Sequence, residues 1–163
     1  MRRIVVVALL SLAACGQPQP ASPPTTSSTP ATGAAAPSAQ IAPEVIAERI
    51  AALPAPYNAG DYDAGKRVFG QCRACHTVNA GGVNRVGPNL HGVFGRRAGS
   101  VEDFKTYSQA LKDSGIVWDA ASLDKWSANP REMAPANNMV FPGLRQEKDR
   151  IDMIAYLAAE TTN

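Results

Sequence analysis

Cys72-Arg73-Ala74-Cys75-His76 gathers the side chains best suited to chemistry in this chain. Two thiols at this spacing share one helical turn, so both can add to the vinyl groups of a haem, with the adjacent imidazole placed beneath the iron. A thioredoxin-like redox pair, a zinc half-site and a structural disulfide compete with that reading. A redox pair belongs in a βαβ setting, and none precedes the motif. A zinc site takes about four ligands, yet the only other histidine is His91 and the only other cysteine is Cys15. Covalent haem is therefore expected, with Cys72 and Cys75 as attachment points and His76 as an axial iron ligand.

Something must hold that turn in place. Gly65, Val68, Phe69 and Cys72 fall at i, i+3, i+4 and i+7, which predicts a helix with Asp61 available as its N-cap. A glycine inside a helix costs about 1 kcal/mol relative to alanine, so close approach by a second helix is the expected compensation at Gly65. From Glu147 to Ala159, Ile151, Ile154, Ala155 and Ala158 form one apolar stripe, with Met153, Tyr156 and Leu157 beside it. Tyr156 is expected to pack near Gly65 and Phe69. Further helices are predicted near Tyr107 to Asp113 and Asp119 to Ala128, giving an all-α fold wrapped on the cofactor.

A haem held by one histidine needs either a sixth ligand, for electron transfer, or an open site, for binding or catalysis. Met133, Met139, Met153 and His91 compete for the sixth position. Met153 sits mid-stripe in the last helix, where methionine usually fills core. Met133 and Met139 lie in the stretch from Pro130 to Gly143, whose prolines forbid a long helix. Their spacing alone does not choose between them.

Arg2 and Arg3 precede the apolar run Ile4 to Leu10, too short to cross a bilayer, and small residues follow it: the pattern of an export signal. Leu12-Ala13-Ala14-Cys15 resembles a bacterial lipobox, which implies a signal over 1–14 and diacylation of Cys15. An ordinary signal peptide with an incidental cysteine is the alternative, and Gly16 leaves the choice of inner or outer membrane open. Nine of the thirteen prolines lie between Pro18 and Pro56, whereas every aromatic residue lies between Tyr57 and Tyr156. Residues 15–56 therefore read as a Pro/Ala/Ser/Thr-rich tether and 57–163 as the packed domain. A flexible chain of that tether's length reaches roughly 35 Å. Within it, Ile46, Ile50 and Leu53 fall near helical spacing, so a short helix over 43–53 is expected, lying on the domain or in the linker.

From about Asp61 to Leu157 the chain resembles a class I cytochrome c, of the mitochondrial cytochrome c group and its bacterial relatives. After Cys75-His76 the resemblance runs through Gly87-Pro88-Asn89-Leu90-His91-Gly92, Phe94-Gly95-Arg96, Gly115-Ile116-Val117-Trp118 and Asn129-Pro130. It continues through Asn138-Met139-Val140-Phe141-Pro142-Gly143-Leu144 and Asp149 to Leu157. It implies a cytochrome c fold with crossing N- and C-terminal helices, one covalently attached haem c, and Met139 as the axial sulfur ligand. It implies the Pro88 carbonyl as acceptor for the second ring nitrogen of His76, and Arg96, Tyr107, Trp118 and Asn137 as haem environment. By the same resemblance His91 is a structural histidine bonded to backbone. Two departures stand out in Pro135-Ala136-Asn137-Asn138-Met139. Alanine where relatives have glycine suggests that Ala136 either avoids a positive φ or is strained, and Asn138 replaces a lysine of the docking rim.

Histidine and methionine on both sides of the iron leave no place for a substrate, so the expected role is that of an electron carrier and not an enzyme. The family implies a quinol-oxidising complex of the bc type as one partner and a terminal oxidase or photosynthetic reaction centre as the other, on the periplasmic side of a membrane. Two alternatives are a peroxidase-like or ligand-binding protein with displaceable Met139, and a dedicated subunit of one dehydrogenase or oxidase. The formal charge of +2 is too small for the basic stripe that nucleic-acid binding needs, and a monomer is expected. From Tyr57 onward there are 13 basic and 12 acidic side chains, so any docking ring must come from asymmetry. Arg73, Arg85, Arg96, Arg97, Arg145 and Lys148 are its candidates.

Overall fold

The structure, a computed structural model, describes residues 41–162. The leader, Cys15 and the tether up to residue 40 lie outside the described residues. Within them the chain forms α1 (Pro43–Ala51), α2 (Tyr62–Val68), α3 (Gln109–Asp113), α4 (Ala120–Ala128), α5 (Pro130–Met133) and α6 (Glu147–Thr161). The only pairing of extended backbone among the described residues is one isolated antiparallel bridge, Arg97 to Val117, so the fold is helical.

Proline at the first turn and Arg49 in the last give α1 its start and its end. The Arg49 guanidinium donates to the Ala159 carbonyl of α6 at 2.6 Å, and Leu53 packs against the core. The helix expected over 43–53 thus lies on the domain, and the packed body begins before Tyr57.

Asp61 caps α2 by accepting from the Ala64 N–H at 2.6 Å, while its own N–H donates to Asp152 Oδ1 of α6 at 2.9 Å. One residue therefore starts one helix and fastens it to another. A Cβ on Gly65 would lie 2.0 Å from the Asp152 carbonyl oxygen and 2.8 Å from Tyr156 Cβ, so hydrogen is the only side chain this crossing admits. Tyr156 sits where the sequence places it, its ring centroid 5.2 Å from that of Phe69 and 5.5 Å from that of Tyr62. The helix does not run on to Cys72. After Val68 it tightens into a 3-10 turn over Phe69–Gln71, closed by Cys72 N–H donating to the Phe69 carbonyl at 2.8 Å.

On the other side of the domain, α3 starts two residues later than expected, because Ser108 accepts from the Leu111 N–H and so serves as its cap. Asp119 and Ser122 cap α4 reciprocally: Asp119 Oδ1 accepts from Ser122 N–H at 2.7 Å, and Asp119 N–H donates to Ser122 Oγ at 2.8 Å. These bonds hold the Asp119 carboxyl below its usual value of 3.8. The stability it contributes is therefore complete above that pH and is lost as the pH falls through the lower native value. Asp119→Asn, which caps at any pH, should be less stable than the parent at neutrality, with the difference closing in acid; a denaturant midpoint difference constant from pH 7 to pH 3 would contradict this.

Pro130 nucleates α5, a single turn in a segment read from sequence as irregular. Tyr57 OH and Arg150 Nε both bond the Asp124 carboxylate, which ties the start of the domain to α4 and α6. The core contains Phe69, Leu111, Trp118, Leu123, Met153, Ile154 and Tyr156, with Trp118 and Trp126 edge to face at 5.3 Å. Met153 is 3% exposed on α6, in the core role that its place in the stripe suggests.

Candidate haem site

Cys72 leads directly out of the tightened turn. Cys75 N–H donates to the Cys72 carbonyl at 3.0 Å and His76 N–H to the same oxygen at 2.9 Å, so the two cysteines and the histidine share one turn. Both thiols are free and half-buried, which leaves the disulfide reading without support. Burial, with Cys75 adding to it, pushes the Cys72 thiol up to about 11.

The segment after the motif folds back over it. Gly87 N–H donates to the Cys75 carbonyl at 2.9 Å, and a Cβ on Gly87 would lie 2.3 Å from His76 Cε1. The imidazole therefore rests directly on the Gly87 backbone. Its Nδ1 stands 2.7 Å from the Pro88 carbonyl oxygen; since a carbonyl only accepts, Nδ1 carries the proton. Burial lowers the His76 pKa, with the Pro88 bond opposing. The ring is then neutral at pH 7 and keeps a lone pair on Nε2 for a metal.

Asn89 was not singled out by sequence, although it ties the wall of this site together. Its Nδ2 donates to Thr77 Oγ1 at 2.7 Å and to the Asn79 carbonyl at 3.0 Å, while its Oδ1 accepts from His91 N–H at 2.7 Å. The His91 expectation needs correction. Its backbone makes the ties, and the Nδ1 of its ring is buried with no hydrogen-bond partner among the described residues.

Arg96, Tyr107 and Trp118 come together. The Arg96 guanidinium donates to the carbonyls of His91 at 2.8 Å and Asn89 at 3.1 Å, and its charge lowers the Tyr107 hydroxyl against the larger upward push of burial. Trp118, 8% exposed, donates its backbone N–H to the Arg96 carbonyl at 2.9 Å.

Met139 is half-buried at the end of a loop whose Ala136 has φ +63°. Of the two conformations open to Ala136, it thus takes the strained one, because the turn from Ala134 to Asn137 requires left-handed backbone there. Its Cβ is exposed and contributes little packing, so Ala136→Gly should raise the stability of the holoprotein by about 1 kcal/mol. A denaturant midpoint at or below that of the parent would show that the strain is relieved elsewhere. Met133, also half-buried, closes α5.

Among the docking candidates, Arg73, Arg85, Arg97 and Arg145 are exposed. Lys148 is not a free charge, since its Nζ pairs with Asp152 at 2.6 Å.

Two free thiols and a neutral imidazole with its proton already placed, gathered in one turn, form a donor set that fits covalently attached haem. It does not suit zinc, for the described residues hold no cluster of three or more His, Cys, Asp and Glu side chains. A helical domain built around such a donor set is a c-type haem protein. Residues 62–160 match the cytochrome c family model, and the chain belongs to the cytochrome c family.

It is 47% identical over 100 residues to cytochrome c2 of Rhodoblastus acidophilus, covering 61% of this chain and 92% of that protein. It is 42% identical over 106 residues to cytochrome c of Kluyveromyces lactis, covering 64% and 96%. Among solved structures, cytochrome cH from Methylobacterium extorquens superposes with a TM-score of 0.55 at 46% identity, over 60% of this chain and 97% of that one. The protein is accordingly an electron carrier with one covalently bound haem c, and not an enzyme. Helix α1 lies outside the matched residues.

Proposed function

We propose that Cys72 and Cys75 hold the haem as thioethers, that His76 Nε2 and Met139 Sδ are the axial ligands, and that the chain works tethered through a diacylated Cys15. Its electrons come from a quinol-oxidising complex of the bc type and pass to a terminal oxidase or photosynthetic reaction centre on the periplasmic side of a bacterial membrane. The bond from His76 Nδ1 to the Pro88 carbonyl carries this reading, because it aims the imidazole and fixes its tautomer with Nε2 left free to bind a metal. When bound, haem c supplies an iron that gains or loses one electron without any bond to substrate being made. A thioether ligand stabilises the ferrous state and raises the potential.

The residues around the site do the rest. Gly87 supports the ring face, Arg96 and Tyr107 supply polar hydrogens for the haem carboxylates, and Trp118 keeps water from that side. With the leader gone, basic and acidic side chains are equal in number, so charge steering is weak. A tether confines the search to the membrane surface and raises the effective concentration of partners.

Mass spectrometry of the native protein extracted from membranes tests both halves. The expected mass is that of residues 15–163 plus one haem and an N-terminal diacylglyceryl group, with haem lost in the Cys72→Ser, Cys75→Ser double variant. Haem retained by that variant would overturn the attachment sites. A haem-loaded parent chain recovered wholly from the soluble fraction would overturn the tether.

A further inference from the structure

No helix positions Met139. Beyond α5 the chain makes one turn at Pro135 and Ala136 and then runs irregularly to Gly143, so side chains must fix the backbone that presents its sulfur. Asn137 is polar yet only 7% exposed, and its carboxamide is used at both ends. Nδ2 donates to the Ala134 carbonyl at 2.9 Å, and Oδ1 accepts from the Met139 N–H at 2.9 Å. Its backbone N–H reaches the same Ala134 oxygen at 3.1 Å. A single side chain thus joins Ala134, ahead of the left-handed turn at Ala136, to Met139 beyond it. A second tie leaves the loop altogether: Asn138 Nδ2 donates to the Thr106 carbonyl at 2.9 Å, next to Tyr107. That tie is exposed and competes with water, whereas the Asn137 bond to Ala134 is buried and its bond to the Met139 N–H is partly buried.

We infer that Asn137 is a positioning residue for the axial methionine, and that Asn138 latches the same loop to the Tyr107 segment. The inference rests on the reading of Met139 as the iron ligand. Moving the Met139 backbone away from the site breaks the acceptor bond of a buried carboxamide, and a buried group left unpaired is costly. The brace therefore opposes displacement of the sulfur, and its strength sets how readily an external ligand takes the sulfur's place. Loss of the lysine at 138 is then more than a change of surface charge, because an asparagine at that position makes the latch.

The test is imidazole titration of the ferric holoprotein, followed by loss of the methionine-to-iron charge-transfer band, with thermal midpoints measured in parallel. Asn137→Ala should bind imidazole about ten-fold more tightly than the parent, and Asn138→Ala about two-fold. Asn137→Ser keeps an oxygen that can accept from the Met139 N–H and should recover most of the parent's resistance. Unchanged imidazole affinity in Asn137→Ala overturns the positioning role even if its midpoint falls, since a purely structural residue would behave in that way. If Asn137→Ala fails to load haem, Asn137→Ser and Asn138→Ala decide; parent-like affinity in Asn138→Ala together with weakened resistance in Asn137→Ser overturns the inference. A parent protein without the band, or a Met139→Ala protein that retains it, overturns the ligand assignment instead, so the two failures are separable.

Discussion

Gly65→Ala is expected to abolish the stable holoprotein or to lower its melting temperature by roughly 15 °C. The added carbon would lie 2.0 Å from the Asp152 carbonyl oxygen and 2.5 Å from the carbon it is bonded to. Both atoms are backbone in the middle of α6, so no side chain can swing aside. Relief requires α2 and α6 to separate, which pulls Phe69 and Tyr156, each 1% exposed, out of contact. It also stretches the bond from the Asp61 N–H to Asp152. Overpacking typically costs about 1–3 kcal/mol, and a contact between two helix backbones belongs at or above the upper end. Gly70→Ala provides the comparison: the same methyl group, five residues on, meets no atom within 4 Å and should leave the midpoint almost unmoved. Equal effects of the two changes would show that the close crossing at Gly65 does not set the cost, since helix propensity by itself favours alanine at both positions.

Gly87→Ala strikes the site itself. Its Cβ would lie 2.3 Å from His76 Cε1 and 2.7 Å from both ring nitrogens, so the imidazole must shift. The shift cannot be small without leaving an overlap, and it cannot be large without breaking the 2.7 Å bond to the Pro88 carbonyl. The ring also loses the partner that fixes its tautomer. The expected result is a loss of about 2–3 kcal/mol in stability, together with a several-fold lower ratio of haem to protein after expression. A variant with normal haem content and a midpoint within error of the parent would mean that the Gly87 segment retreats at no cost, and that the imidazole is held in some other way.

These two glycines show how unevenly the molecule could be read. Gly65 was legible because a glycine at a helical spacing, opposite a second apolar stripe, calls for a close crossing, and Tyr156 was the large residue within reach. The cap at Asp61 was legible for a similar reason: the capping acceptor and donor are neighbours along the chain. Gly87 was visible only as part of a resemblance, since its task depends on a ring brought back over eleven residues of loop. Lys148 looked like a free surface charge until α2 set Asp61 against Asp152, which left the other oxygen of that carboxylate to the lysine. The choice between the two conformations open to Ala136 and the two-ended bonding of Asn137 were likewise closed to a one-dimensional reading, as was the unpartnered ring nitrogen of His91.

What the sequence by itself determined is the chemistry. The thiols and the imidazole lie within one turn, so their types and spacing suffice to specify covalent haem, and the two apolar stripes suffice to specify a helical domain. Only the tertiary structure decided how the ligands are aimed. The Pro88 carbonyl was implied for His76 by resemblance, but Asn137, Asn138, Arg96 and Arg49 also find backbone carbonyls as acceptors. Every residue carries such a carbonyl, so nothing in the order of side chains marks which one the fold will bring within reach.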